Sequence, residues 1–170
     1  MDLPIDNQIT QADVAYYYHL ANDKKMSIAK CILRAAKHYS VHPDYIYAIA
    51  KQEAGTTGKY NRNSDGTHDM GDMQINYERW AVEFKRLGFR IDWKRVLTNQ
   101  CDNVLVGTKI IQMRQGSAKN ALTAMANYHY FEKAKHNAPH YRYKALVSKH
   151  YETILKDKAA FVSATFLSSN

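Results

Sequence analysis

The sequence predicts a mostly α-helical protein built as one domain. Its 170 residues include only 3 prolines and 7 glycines, so few positions punctuate the chain. No stretch alternates apolar and polar residues for long, whereas apolar residues recur at spacings near 3.6. Apolar residues make up 45% of the chain and 13 residues are tyrosine, enough to fill the single core that this length supports.

The elements follow in order. Thr10, with Asp13 three places on, fits the cap of a short first helix. Ser27 fits the cap of a second, where Ile28, Cys31, Ile32, Ala35 and Tyr39 share a face. Pro43 suits the first turn of a third helix, which runs to about Glu53. The polar stretch NRNSDGTHDMGDMQIN, Asn61 to Asn76, reads as a loop or small hairpin. Asn76 or Tyr77 then opens a helix through Trp80, Phe84 and Leu87, with Gly88 as its stop. Residues 99–115 place Cys101, Val104, Leu105, Thr108 and Ile111 at helical spacing, and two more helices are expected near 119–131 and 139–156. The expected division is a partly helical extension over 1–26, the main domain over 27–157 and a mobile tail over 158–170.

The formal net charge of +8 favours acidic polymers: nucleic acid, anionic membrane or bacterial wall. No recognised nucleic-acid module is visible, so a nucleic-acid partner is not expected. The clusters Lys24-Lys25 and Lys156 to Lys158 read as solvated faces. No segment approaches the roughly 18 uninterrupted apolar residues of a membrane span. The opening MDLPIDNQITQADVAYYYHL lacks a basic region followed by an apolar core, unlike a signal peptide. This fits a mature form or another route of export. Cys31 and Cys101 are too few and too far apart for a zinc site, and are compatible with two buried thiols or one disulfide. His136 and His140 are four apart, but Pro139 interrupts them and no third ligand is evident; no metal site is expected. Tyr143 and Tyr151, at helical spacing, read as core.

Two carboxylates draw attention. Ile46, Ile49, Ala50 and Glu53 fall at i, i+3, i+4 and i+7, so Glu53 continues an apolar stripe. Desolvation there would raise its pKa, as suits a general acid at neutral pH. The plainer alternative is a helix-end glutamate turned to water or paired with a lysine. Asp69 lies among hydrogen-bonding groups (Asn61, Asn63, Ser64, Thr67, Gln74) that would keep it ionised; its plainer alternative is an ordinary turn residue. Two carboxylates kept in different surroundings are the usual equipment for cleaving a glycosidic bond.

The block NRNSDGTHDMGDMQIN resembles the active-site loop of animal-type lysozymes. The chain from about 27 to 155 is similar to the lysozyme-like soluble lytic transglycosylase (SLT) superfamily. Within it, the small wall-cutting enzymes of type III and type IV secretion systems are nearest. The motifs that carry this are Glu53-Ala54-Gly55, Gly71-Asp72-Met73-Gln74 and Asn127-Tyr128-His129. The resemblance implies a goose-type or SLT helical domain that cleaves the β-1,4 bond between N-acetylmuramic acid and N-acetylglucosamine. It further implies a 1,6-anhydro product, no cofactor, and opening of the wall for a secretion or conjugation apparatus whose components would be partners. Location would be periplasmic or otherwise exported.

By the same resemblance Glu53 is the catalytic acid/base, and Asp69 matches the second carboxylate of lysozymes. Gly71, Met73, Gln74 and Asn76 line the saccharide groove, Tyr128 helps to orient Glu53, and Cys31 pairs with Cys101. Two positions depart from the pattern: Ala54 stands where Ser is usual, and Asp72 where Leu is usual. Asp72 pointing inward would raise the pKa of Glu53; pointing outward, it would be inert. A muramidase that uses water and Asp69 is the alternative enzyme. A non-catalytic glycan-binding or assembly module is the alternative of another class.

Overall fold

The computed structural model describes residues 3–23, 26–129 and 137–166. Helices α1 (Gln11–Asn22) and α2 (Ile28–Tyr39) lead into α3 (Pro43–Glu53), the centre of the core. A small antiparallel sheet follows, with β1 (Tyr60–Arg62), β2 (His68–Met70) and β3 (Ile75–Asn76) in that spatial order. The chain continues through α4 (Tyr77–Arg86), α5 (Trp93–Thr98), α6 (Gln100–Gln115), α7 (Ala121–His129) and α8 (Ala138–Phe166). The protein is thus mostly α with a small hairpin-like sheet. Among the described residues, no helix is long and apolar enough to cross a membrane.

Local chemistry accounts for most boundaries. Thr10 and Asp13 form a reciprocal capping box: Asp13 N donates to Thr10 Oγ1 at 3.1 Å, and Thr10 N to Asp13 Oδ2 at 2.8 Å. Pro43 occupies the first turn of α3, and Asn76 caps α4 by accepting from Arg79 N at 3.2 Å. Ser27 does not act as a cap. Its own backbone is already helical, and its hydroxyl donates instead to Gln100 Oε1 at 3.2 Å. Helix α5 was not expected from periodicity, since a six-residue helix is too short to display it. Its signal is Asp92, whose carboxylate accepts from Arg95 N at 3.1 Å.

Helix α3 is buried around its whole circumference from Pro43 to Ala50, not along one stripe. The reason is that α2, α6, α7 and α8 all pack on it. Two and a half turns of helix separate the buried Asp44 near its start from Glu53 at its end. The disulfide Cys31–Cys101 ties α2 to α6. Closing 70 residues of chain stabilises the fold by roughly 4 kcal/mol in the chain-entropy model.

Helix α8 does not stop near residue 156 but runs to Phe166. Lys158 is therefore neither in a mobile tail nor on a solvated face. Packing of α8 on α1 and α3 brings its ammonium onto Asp13 Oδ1 at 2.5 Å and onto Asp44 Oδ2. Lys156 is exposed, and Lys24-Lys25 lie outside the described residues, as does His136. His140 is buried, with Nε2 3.1 Å from Asn127 Oδ1.

Candidate active site

A cleft of about 710 Å³ opens between the end of α3, the sheet, α4 and the last turns of α6 and α7. Glu53 and Asp69 both line it. Glu53 arrives there because α3 ends one residue later. Ala54 takes a left-handed backbone at φ 48°, and its N–H closes the helix onto Ala50 O. Gly55 then passes so close to the turn after β2 that a Cβ would lie 2.0 Å from Gly71 O. Only glycine fits, which gives the third position of Glu53-Ala54-Gly55 its physical meaning.

The Glu53 carboxylate accepts a hydrogen bond from Tyr143 Oη at 2.6 Å, and among the described residues no cation pairs with it. Burial pushes its pKa up to about 7; the Tyr143 bond opposes the rise and the charge of Asp69 adds to it. Such a group is protonated in a substantial fraction of molecules near neutrality, as a proton donor must be. Tyr143 in turn stacks on His129, with ring centroids 4.6 Å apart and planes 3° from parallel. His129 also lines the cleft, and burial lowers its pKa.

Asp69 sits not in a loop but in β2, in register with Asn61 on one side and Asn76 on the other. Paired residues share a sheet face, so these three side chains form one polar row. Asn76 Nδ2 donates to Asp69 Oδ1 at 3.2 Å and to Thr67 Oγ1 at 2.8 Å. Asn61 Nδ2 donates to Gln74 Oε1 at 3.1 Å. Gln74, Asn76 and Tyr128 all line the cleft.

Gly71 and Met73 do not line it. Met73 is fully buried, its N–H donating to Asn103 Oδ1 at 2.8 Å and its carbonyl accepting from Tyr128 Oη at 2.7 Å. Gly71 has φ 68°, and a Cβ there would lie 2.2 Å from Asn103 Nδ2. Both residues therefore build the loop from behind. The Tyr128 hydroxyl accordingly holds the Met73 backbone, and Tyr143 is the tyrosine that bonds Glu53. Asp72 points away from the cleft: its carboxylate accepts from Thr57 Oγ1 at 2.7 Å and from Gln100 Nε2 at 2.9 Å.

Sequence reasoning missed several of these groups. Asn103, fully buried, also donates to Met70 O and Val96 O, both at 3.1 Å, and so pins the sheet to α5 and α6. A buried Asn in an apolar helix face was its only signal. Arg114 and Trp80 line the cleft together, with the guanidinium 4.8 Å from the ring centre. A helical Trp and Arg far apart in sequence give no sign that they will stack.

Comparison with known proteins shows the family. The family described as Transglycosylase SLT domain matches residues 30–150. Over 85 residues, 49% of the chain, the sequence is 38% identical to the invasion protein IagB of Salmonella typhimurium, strains SL1344 and LT2, and to that of Salmonella typhi. The matched segment spans 51% of those relatives, about half their length.

Proposed function

From a chain that belongs to the Transglycosylase SLT domain family, we propose a peptidoglycan lytic transglycosylase in which Glu53 is the acid/base and Asp69 the stabilising anion. One observation carries this: Glu53 is a half-buried carboxyl with a pKa near 7, lining the same cleft as a second carboxylate.

The chemistry follows from those two groups. Glu53 donates its proton to the glycosidic oxygen as the bond from that oxygen to the muramic anomeric carbon breaks. Positive charge develops on that ring, and Asp69 stabilises it electrostatically. Glu53, now a carboxylate, takes the proton of the muramoyl 6-hydroxyl as its oxygen bonds to the anomeric carbon. The acid is regenerated, no water is consumed and the product carries a 1,6-anhydro ring. Tyr143 holds the Glu53 carboxylate in place through both steps. Gln74 and Asn76 are proposed to contact the saccharide, while Gly71, Met73 and Tyr128 support the loop that carries them.

Asp69 also favours a second reading, a muramidase in which water replaces the 6-hydroxyl. Mass spectrometry of muropeptides released from purified peptidoglycan separates the two. Anhydro ends, one water lighter, are expected; predominantly reducing ends would move the protein to the lysozyme side. A glycan-binding module without catalysis would release nothing. The Cys31–Cys101 disulfide supports work in an oxidising compartment such as the periplasm. We further propose that cleavage opens the wall locally for a secretion or conjugation apparatus.

A further inference from the structure

Beyond Trp80 the cleft adjoins a second cavity of about 350 Å³, and Arg79, Trp80 and Arg114 border both. Arg114 is buried on α6, with Nη1 donating to Asn127 O at 2.8 Å and Tyr128 O at 2.7 Å. Its charge is thereby fixed in the wall, under the Trp80 ring. Arg79, in the first turn of α4, is exposed. Its backbone N–H donates to Asn76 Oδ1 at 3.2 Å, and among the described residues no hydrogen bond engages its guanidinium. Glu83 borders the second cavity; Arg86 bonds both its oxygens, at 3.0 and 2.6 Å, and the charge of Arg79 also helps to hold its carboxyl low.

Two like charges held at one end of a cleft repel each other, and a bound anion relieves the repulsion. The effect is visible at Arg114, whose pKa is lowered to about 10, first by burial and then by Arg79. Glu53, Asp65 and Asp69 line the same cleft, and their negative charge repels an anion. The cleft's two arginines, with Trp80, are the residues it shares with the second cavity, while its carboxylates line the first cavity alone.

We propose that Arg79, backed by Arg114, is a carboxylate-reading subsite that sets the register of the glycan strand in the cleft. A peptidoglycan strand differs from neutral chitin by an acidic substituent on alternate sugars, either the O-lactyl carboxylate itself or the acidic peptide attached to it. A subsite that accepts this charge at one position brings only one of the two alternating linkages to Glu53. Arginine suits the task, because its planar fork can grip a carboxylate with two parallel bonds. The subsite matters to turnover only if the cleft cleaves peptidoglycan, as proposed above.

The test compares wild type with Arg79→Gln and Arg79→Lys at about 0.15 M salt, where general attraction to the +8 chain is screened beyond about 8 Å. Three glycans are used: intact peptidoglycan, strands stripped of peptide that expose the lactyl carboxylate, and neutral chitohexaose. Arg79→Gln is expected to raise KM for intact peptidoglycan about 10-fold, the scale of one charge-assisted hydrogen bond, with kcat little changed. Chitohexaose binding should not change, and Arg79→Lys should recover part of the loss by keeping the charge. A loss shared by stripped strands assigns the lactyl carboxylate, and a loss confined to intact strands assigns the peptide. An unchanged KM, or an equal loss for chitohexaose, would overturn the subsite while leaving the enzyme standing. If wild type releases no muropeptides, the enzyme reading fails by itself. Binding of a muramyl peptide against chitohexaose, measured for wild type and Arg79→Gln, then still decides the subsite on the same terms.

Discussion

At the N-terminal end of α3, Asp44 is buried against the Tyr17 hydroxyl at 2.9 Å and the Lys158 ammonium, whereas at the C-terminal end Glu53 meets Tyr143 and the negative charge of Asp69. Both carboxylates sit on one helix, and burial acts on both. The difference lies in what the burial brings with it. The first end holds a cation that bridges Asp44 to Asp13, and the partial positive charge of the helix N-terminus helps further. The second end holds no cation among the described residues, a nearby anion, and the partial negative charge of the helix C-terminus. One end pairs its carboxylate with a cation, and the other holds a carboxyl that can release a proton. A buried carboxylate is therefore a candidate acid only where its neighbours withhold compensation.

The largest expected effect separates the two ends by function. Glu53→Gln keeps the shape but has no proton to donate, and should slow peptidoglycan cleavage about 100- to 10,000-fold. Its circular dichroism should match wild type, and so should its unfolding midpoint near pH 4.5. A folded Glu53→Gln protein that clears peptidoglycan at the wild-type rate would remove the assignment.

Lys158→Ala tests the opposite end. Removing the cation leaves Asp13 and Asp44 buried without it, which should cost about 3 kcal/mol of stability in denaturant unfolding. The folded fraction should cleave normally. A loss of activity without loss of stability would show that the ion cluster serves the cleft after all.

A pair of variants sharpens the account of Glu53 itself. As an acid, the enzyme loses activity when pH rises through the Glu53 pKa near 7. Tyr143→Phe removes a bond that favours the ionised form, so the alkaline limb of the pH–rate profile should move to higher pH. Asp69→Asn removes the charge that favours the neutral form, so the limb should move to lower pH, while the rate falls about 100-fold through lost transition-state stabilisation. Limbs that stay where the wild type has them in both variants would show that burial alone sets the pKa.

The pH dependence of stability reverses its sign between the ends. Burial opposes ionisation of Asp13, yet hydrogen bonds from His42, Lys158 and Thr10 hold its carboxyl well below the usual range. That contribution is present above about pH 4, the unfolded value, and is lost as pH falls toward the folded one. Glu53 is raised from 4.5 to about 7, so the folded state binds the extra proton and stability falls as pH rises across that interval. Glu53→Gln should therefore be more stable than wild type at pH 8 by about 3 kcal/mol. The gain should vanish near pH 4.5, the lower end of the interval. Parallel unfolding curves at the two pH values would contradict the assigned shift.

The sequence by itself determined the helical fold class, the course of α3, the capping box at Thr10 and the closeness of Glu53 to an apolar core. These rest on periods and side-chain bonds that span a few residues, so the information is local. Gly55 was legible as part of a motif, though the carbonyl that excludes a Cβ there belongs to Gly71 across the turn. Only the tertiary structure decided what each charged group meets. Tyr143 reaches Glu53 across 90 positions, and Lys158 reaches Asp44 across 114. Packing of α8 along α3 creates both contacts at once. Met73 and Asp72 show the same limit over a shorter range. Adjacent in a motif that reads as groove lining, they turn to Asn103 and to Thr57 and Gln100. Which way a turn residue points depends on the partners folded around it, and those partners come from distant parts of the chain.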